Sequence, residues 1–129
     1  VGKQINTICD HVELQDSYRK KPVSQLSGGN QQKVLFGRCF GQEADVYIFD
    51  EPTVGVDMGT RSALYLLIKE LTEAGKAVIV ISSDLPEVMN LAHRLLILAH
   101  GTITAELAGD QMSEEQVLKY FFDESGAAA

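Results

Sequence analysis

The sequence predicts an α/β fold with a mostly parallel sheet flanked by helices. Residues 46–49 and 77–81 are short apolar runs of the length expected for buried strands, and residues 59–74 between them carry apolar side chains at helical spacing. Strands that alternate with helices need crossover connections, which join parallel neighbours. From residue 46 onward, strand and helix are therefore expected in turn.

Composition limits the class of protein. The chain has 129 residues, of which 45% are apolar, so one domain with a hydrophobic core is expected. The longest apolar runs are far shorter than a bilayer requires and no leader opens the sequence, which predicts a soluble protein that meets a membrane only through a partner. A net charge of −7 argues against binding a polyanion, so DNA and RNA are not expected ligands.

The two cysteines give little support for a metal site. Cys9 and Cys39 lie far apart in the sequence, with no C-x-x-C pair and no cluster of histidines. We therefore expect both to be buried, reduced thiols of a cytosolic protein.

Local patterns predict the remaining elements. Apolar spacing predicts a helix over residues 3–14, and the polar stretch 15–25 predicts a loop whose basic residues 19–21 form a solvated surface. The helix after the first strand should stop at Gly75. The second half of the chain adds a helix capped by Asp84 with Glu87 three residues later, a hairpin of residues 94–98 and 102–107 with its turn at His100 and Gly101, a last helix from Ser113 to about residue 122, and disorder over residues 125–129.

Residues 26–33, with the sequence LSGGNQQK, place a Ser-Gly-Gly turn at the start of an apparent helix. The first amides of a helix lie at the positive end of its dipole and point toward an approaching anion. Ser27, Gly28 and Gly29 therefore suit a phosphate, because glycine has no Cβ to keep the backbone away from it. An ordinary Ser-Gly-Gly turn before a helix is the alternative.

The apolar strand at residues 46–49 leads into two carboxylates, Asp50 and Glu51. A hard cation such as Mg²⁺ takes oxygen ligands, so Asp50 is a candidate ligand through a water. Side chains alternate along a strand, so Glu51 is expected to point the other way and to orient or deprotonate a reacting water. A pair of acids that only ends a strand and caps a turn is the alternative.

Together these segments resemble the ABC-type ATPases. LSGG with glutamine soon after is similar to the signature motif of that family, and YIFDEP at residues 47–52 is similar to its Walker B strand. The longer strings LSGGNQQKV and DEPTVGVD resemble the second nucleotide-binding domain of the tandem ATPases that energise bacterial import of ribose, galactose and xylose. The resemblance covers nearly the whole chain.

The resemblance implies a fold and a division of the chain. Residues 1–41 would be the C-terminal part of the helical subdomain, with a signature helix over residues 29–40 that docks through the apolar residues 34–36. Residues 42–129 would be the C-terminal part of a P-loop NTPase core. The expected fold class is thus a partial ABC ATPase core, without its phosphate-loop strand.

The resemblance also implies roles for the site residues. Glu51 would act on the attacking water, and Asp50 would bind Mg²⁺. Residues 27–29 would donate hydrogen bonds to the γ-phosphate of an ATP held by a partner domain, so that the site is composite. Asn30 stands where most of the superfamily has glutamine, as is usual in sugar importers. ATP and Mg²⁺ are therefore the expected cofactors.

Two further positions have roles by resemblance. Asp57 matches the loop that couples the two composite sites; it can also cap the helix that begins near residue 59, and the two roles can coexist. Ser83 stands where most of the superfamily has a histidine that contacts the γ-phosphate. A hydroxyl carries no positive charge, so Ser83 argues against efficient hydrolysis at the site built on Glu51. The three histidines lie elsewhere in the pattern and are expected at the surface or in turns: His11, His93 and His100.

The sequence contains no G-x-x-x-x-G-K-[ST] loop. That loop supplies the lysine and the hydroxyl that hold the terminal phosphates and Mg²⁺. We therefore expect a fragment whose phosphate loop lay upstream of Val1 and which does not hydrolyse ATP alone. The missing strand would lie between residues 77–81 and 94–98, which predicts either a non-family pairing that closes the gap or a homo-oligomer joined through the exposed edge.

The leading function is the energy-coupling subunit of a bacterial sugar importer, peripheral to the cytoplasmic face of the inner membrane. Its expected partners are a second nucleotide-binding domain, membrane-spanning permease subunits and, indirectly, a periplasmic sugar-binding protein. Two alternatives stay open: a regulatory nucleotide-binding module with little turnover, and a soluble ABC ATPase outside transport. These residues do not specify which sugar is carried.

Overall fold

The computed structural model describes residues 2–122, except for the side chains of residues 2–5, 11 and 40. The predicted disorder of residues 125–129 and the predicted surface position of the His11 side chain lie outside this description. In chain order the elements are α1 (Gly2–His11), a 3₁₀ turn (Val23–Gln25), α2 (Gly28–Phe40), β1 (Val46–Asp50), α3 (Met58–Glu73), β2 (Ala77–Ile81), α4 (Leu85–Leu91), β3 (Arg94–Ala99), β4 (Thr102–Ala108), a 3₁₀ turn (Gly109–Gln111) and α5 (Glu114–Phe122). The predicted helices and strands are confirmed, with ends shifted by three residues or fewer.

The chain divides into two compact units, Val1–Ile81 and Ser82–Ala129. The predicted division between residues 41 and 42 follows the subdomains of the resembling family and stays a prediction. Within residues 2–122, no helix is long and apolar enough to cross a bilayer.

In the first unit, β1 and β2 are parallel neighbours, paired from Val46 with Ala77 to Asp50 with Ile81. Helix α3 connects them, which confirms the predicted strand–helix–strand order. Gly75 ends α3 with a φ of +78°, a conformation that glycine adopts at low cost. The buried face of α3 is formed by Thr60, Ala63, Leu64, Leu67, Ile68 and Leu71.

The two faces of this small sheet differ in exposure. On β1, Tyr47 and Phe49 are buried, whereas Val46 and Ile48 are 53% and 63% exposed. The prediction of two buried strands is therefore wrong: β1 is covered on one face only, and on β2 Ile79 and Ile81 are each 49% exposed. A sheet of two strands packed against α3 leaves its other apolar face open.

Of the three apolar residues that were expected to dock helix α2, Phe36 is buried, Val34 is partly buried and Leu35 is exposed. Phe36 is buried and meets Phe49 edge to face, with ring centroids 6.3 Å apart. The prediction is wrong for Leu35, which is half exposed, because neighbouring residues on a helix point about 100° apart.

Helices α1 and α2 lie against each other near Gly37, where a Cβ would be 3.1 Å from Ile8 Cγ2. The two cysteines lie on these helices. Cys9 and Cys39 are free thiols as predicted, but they are partly exposed and not buried.

Arg19 corrects the prediction that the basic run is only a solvated surface. Its side chain is 20% exposed, and its guanidinium contacts Asp10 at 2.6 Å and Asp16 at 3.0 Å. Arg19 Nε also donates to Leu14 O at 3.3 Å. The hydrogen bond to Asp10 is the main cause that raises the pKa of Arg19. The loop after α1 is thus held by the contacts of one arginine.

In the second unit, β3 and β4 form the predicted antiparallel hairpin. His100 and Gly101 both have positive φ, +51° and +78°, as a two-residue type I′ turn requires. The buried apolar residues of this unit are Leu95, Ile97 and Leu107, and partly buried side chains from α4 and α5 pack against them. Ser113 Oγ accepts from Gln116 N at 3.3 Å, which confirms the predicted cap of α5.

Each sheet contains two strands within residues 2–122. A non-family pairing that adds a strand to either sheet is therefore not found there, and that branch of the prediction is wrong. Local connections explain why: β1 and β2 are joined through α3, and β3 and β4 through a two-residue turn. Association of the chain through an exposed strand edge stays a prediction.

Candidate functional site

The signature turn, residues 26–30, is closed by Ser27, the N-cap of α2. Ser27 Oγ accepts hydrogen bonds from Asn30 N at 3.4 Å and from Asn30 Nδ2 at 3.0 Å. Gln31 Nε2 donates to Leu26 O at 3.0 Å. Asn30 therefore helps to hold the serine, a role that the sequence analysis did not give it.

The two glycines of this turn have different surroundings. A Cβ at Gly28 would meet no atom within 4 Å, so the start of α2 is open there. A Cβ at Gly29 would lie 2.9 Å from Asp57 Oδ2 and 3.1 Å from Thr60 Oγ1. Gly29 thus has a packing reason to lack a side chain, in addition to the predicted approach of a phosphate.

Strand β1 ends at Asp50, whose side chain is exposed, and Glu51 follows with a φ of +44°. Glu51 N still donates to Ile81 O at 2.8 Å. The expected opposite orientation of Glu51 assumed strand geometry, which this left-handed residue does not have. A glutamate in this region costs roughly 1–3 kcal/mol, and such residues concentrate at functional sites.

Asp50 fits part of a Mg²⁺ site. Its carboxylate is exposed at the C-terminal end of a parallel strand, but the part of the chain with described side chains holds no group of three or more His, Cys, Asp or Glu that could bind an ion. Mg²⁺ usually keeps several waters and binds one or two carboxylates together with phosphate oxygens. The donors therefore fit Mg²⁺ that arrives with a phosphate and do not fit a metal held by protein alone.

Residues 51–57 connect β1 to α3 through two turns, in which Val54 N donates to Glu51 O and Val56 N to Thr53 O, both at 3.3 Å. Asp57 then caps α3, as predicted: Oδ1 accepts from Thr60 N at 3.0 Å, and Oδ2 accepts from Thr60 Oγ1 at 3.1 Å. The backbone bond first, and then the hydroxyl bond, lower the pKa of Asp57. The predicted coupling role of Asp57 is a separate matter and stays a prediction.

Ser83 belongs to the second unit, where residues 82–87 form a compact start to α4. Ser82 Oγ donates to Glu87 Oε2 at 2.5 Å and accepts from Asp84 N at 3.1 Å. Glu87 N donates to Asp84 Oδ1 at 3.1 Å, which confirms the predicted cap. Ser83 itself is exposed, as are His93 and His100.

Three side chains that hold these segments were not identified from the sequence as functional: Gln32, Thr60 and Glu87. Thr60 could have been found, because a residue three positions after an N-cap often bonds to it. Glu87 was placed in a capping pattern, but its burial was not expected; it is 1% exposed. Nothing in the sequence separates Gln32 from its neighbour Gln31.

Sequence comparison gives the family. A family model described as "ABC transporter" matches residues 1–54. The putative ribose/galactose/methyl galactoside import ATP-binding protein of Albidiferax ferrireducens is 54% identical over 93 residues, which are 72% of this chain and 18% of that protein. The ribose import ATP-binding protein RbsA of Oceanobacillus iheyensis is 39% identical over 116 residues, which are 90% of this chain and 23% of that protein. The chain belongs to the ABC transporter ATP-binding proteins.

Solved structures agree with membership of the ABC family. The dimeric ABC transporter cassette MJ0796 is 28% identical, with a TM-score of 0.75 over 82% of this chain and 46% of that one. The ABC cassette MJ1267 in its ADP conformation is 27% identical, with a TM-score of 0.72 over 95% of this chain and 46% of that one. These matches confirm the predicted fold class, a partial ABC ATPase core. The chain spans about a fifth of the length of the curated relatives it matches.

Proposed function

We propose that the protein to which this chain belongs is the ATP-hydrolysing, energy-coupling subunit of a bacterial sugar importer. The exposed first residue of α2, Gly28, carries the proposal, because the first amides of a helix suit a phosphate. The printed functions of the relatives, ribose import and ribose/galactose import, support the sugar class. The 129 residues alone, without a phosphate-loop motif, are not expected to turn over ATP.

The signature turn contacts the γ-phosphate of an ATP held by a second nucleotide-binding domain. Ser27, Gly28 and Gly29 donate to the phosphate, and Asn30 both keeps Ser27 in place and contributes a polar side chain. The dimeric form of the related cassette MJ0796 supports a composite site of this kind.

Glu51 orients or deprotonates the attacking water at the other composite site. Its left-handed backbone supports a functional position, because strained residues concentrate at functional sites. Asp50 holds Mg²⁺ through a water, and when bound the ion neutralises charge on the terminal phosphates. The related cassette solved with ADP and Pi supports a nucleotide phosphate as the ligand.

Ser83 and Asp57 set how well that site works and how it is coupled. Ser83 hydrogen-bonds to the γ-phosphate but cannot supply the charge of an imidazolium, so hydrolysis on Glu51 is slow relative to a site with histidine. Asp57 couples the two composite sites while it caps α3. The same serine favours a second candidate function, a regulatory nucleotide-binding module with little turnover.

The partners follow from the importer assignment. A second nucleotide-binding domain completes the composite sites. Permease subunits respond to the closing and opening of the two nucleotide-binding domains, and a periplasmic sugar-binding protein acts through the permease. The subunit is peripheral, at the cytoplasmic face of the inner membrane. Nucleic acid is not a partner in this proposal, since the net charge is −7.

Steady-state ATPase measurements on the full-length protein test the function. Glu51→Gln keeps size and removes the base, so the part of the ATPase rate that is due to this site should be lost while ATP still binds. The matched control is Glu43→Gln, an exposed glutamate in the loop before β1, which should keep the wild-type rate. An unchanged rate in Glu51→Gln would contradict the importer ATPase and favour the regulatory module.

A further inference from the structure

The signature turn is attached to the segment that contains Glu51, residues 51–57, at two points. Gln32, in the first turns of α2, donates from Nε2 to Pro52 O at 2.9 Å. Gly29 lies so close to Asp57 and Thr60 that a Cβ would be 2.9 Å and 3.1 Å from their side-chain oxygens. The first point is a hydrogen bond, and the second is a close approach that leaves no room for a side chain at position 29. They therefore restrain the turn in different ways.

Only one of two adjacent glutamines, Gln32, makes the hydrogen bond to Pro52 O. Gln31 is exposed, and its amide closes the signature turn on Leu26 O. Gln32 is partly buried, and its amide reaches the carbonyl next to Glu51. Successive residues on a helix point about 100° apart, so the two side chains cannot exchange these roles.

The segment that receives this hydrogen bond is firmly held. Pro52 is buried and its ring fixes φ, and Thr53 is 3% exposed. Glu51 N is bonded to Ile81 O, and Thr60 bonds Asp57 at the far end of the segment. Pro52 O therefore has a position that depends closely on Glu51.

We propose that Gln32 is a positioning residue that links Glu51 to the signature turn of the same domain. A displacement of Glu51 moves Pro52 O, and Gln32 follows it. The close approach of Gly29 to Asp57 makes residues 27–30 move with the segment. The linkage rests on described contacts. Its consequence is that a structural change at one composite site alters the other through a single domain, and this consequence rests on the proposed function.

Hydrogen exchange on the full-length protein tests the linkage without any use of activity. Pro52→Ala loosens the segment but keeps the accepting carbonyl. It should speed exchange of the amides of residues 30–32 by about threefold or more in the wild type and in the matched control Gln31→Met. In Gln32→Met the acceleration should be clearly smaller, because only the approach of Gly29 to Asp57 is left. Equal acceleration in the two glutamine backgrounds would overturn the linkage.

A second pair of variants tests the linkage independently, in case Pro52→Ala unfolds the protein. Gly29→Ala pushes the start of α2 away from Asp57, whereas Gly28→Ala adds the same methyl group in open space. Gly29→Ala should change exchange of the Val54 and Val56 amides by about threefold or more, and Gly28→Ala by clearly less. Identical exchange in the two glycine variants would also overturn the proposal.

Activity separates the linkage from the proposed function. Gln32→Met should lower kcat by about fivefold, with the KM for ATP within about twofold of the wild type. Gln32→Lys, which keeps a donor, should recover most of the loss, and the exposed Gln42→Met should behave as the wild type. A change in KM alone would contradict a positioning role. An ATPase rate that is the same in Glu51→Gln as in the wild type would refute the proposed function. The exchange experiments would still decide whether the linkage exists.

Discussion

The two segments that we propose to face phosphate, the signature turn and residues 82–87, are held in different ways. The signature turn is capped locally by Ser27, but its position depends on contacts to Pro52 and Asp57, which are distant in sequence. Residues 82–87 are tied by hydrogen bonds among Ser82, Asp84 and Glu87, which lie at most five residues apart. One segment depends on the packing of α2 against its surroundings, and the other on its own sequence.

This difference bears on how each segment can respond to nucleotide. A segment held by distant contacts shifts when the elements that carry those contacts shift, so the signature turn is suited to receive information from β1 and α3. A segment closed by short-range bonds keeps its geometry as long as its helix begins at the same residue. Residues 82–87 are therefore suited to present Ser83 in a constant geometry.

The largest expected effect comes from a side chain that blocks the exposed start of α2 in the signature turn. Ser27→Arg in the full-length protein places a long side chain where a γ-phosphate would approach the backbone. We expect the ATPase rate to fall by about 100-fold, as when a phosphate-stabilising donor is lost. Nucleotide binding to this domain's own phosphate loop should persist, because the signature turn serves the opposite site.

Ser24→Arg is the matched control for that experiment. Ser24 is exposed in the 3₁₀ turn before the signature turn, so the same charge and bulk are added outside the proposed site. Wild-type ATPase is expected. Loss of nucleotide binding by the Ser27→Arg domain itself, with the fold intact, would show that the turn does not act on the opposite site.

The parts of the fold that could be predicted from the sequence depend on local contacts. The caps at Asp57, Asp84 and Ser113 and the turn at His100 and Gly101 depend on residues at most three apart, and the structure confirms them. The parallel pair β1–β2 followed from strand length and helical spacing, which are equally local. Short-range interactions thus determine most helix ends, turns and strands, and these can be predicted without knowledge of the packing.

The missed features depend on packing between elements. The close approach of Gly29 to Asp57 and the bond from Gln32 to Pro52 exist only because α2 lies beside the start of α3, and no spacing rule predicts that. The left-handed backbone of Glu51 is likewise set by the turn after β1 and not by strand alternation. Sequence reasoning therefore identified the chemical groups of the site better than the contacts that hold them.

The second prediction tests whether residues 82–87 hold themselves. Glu87→Ala removes a buried acceptor from Ser82 Oγ, which should cost about 1.5–3 kcal/mol of local stability. Exchange of the α4 amides should then be about 10- to 100-fold faster in the full-length protein. Glu87→Gln, which keeps an acceptor, should change exchange far less. Acceleration that spreads through β3 and β4 would contradict a local role.

The smallest expected effect is a change in the pH dependence of stability at Asp57. This residue forms the local cap of α3 and also lies beside Gly29 of the signature turn. The pKa of Asp57 is lowered from 3.8, chiefly by the hydrogen bond from Thr60 N and then by that from Thr60 Oγ1. Because the folded value is lowered, the contribution of this carboxylate to stability is full above its ordinary pKa and is lost as the pH falls through the lowered one. Acid should therefore weaken both the cap of α3 and the surface that Gly29 contacts.

Asp57→Asn separates the charge from the cap, because asparagine still accepts hydrogen bonds but does not titrate. The thermal midpoint of Asp57→Asn should decline less than that of the wild type between about pH 4 and pH 2. In a carboxyl titration followed by NMR, Thr60→Val should raise the pKa of Asp57 only part of the way to 3.8, since the larger backbone bond stays. A wild-type Asp57 that titrates at or above 3.8 would mean that the bonds from Thr60 do not hold it, and that the contact with Gly29 is positioned by packing alone.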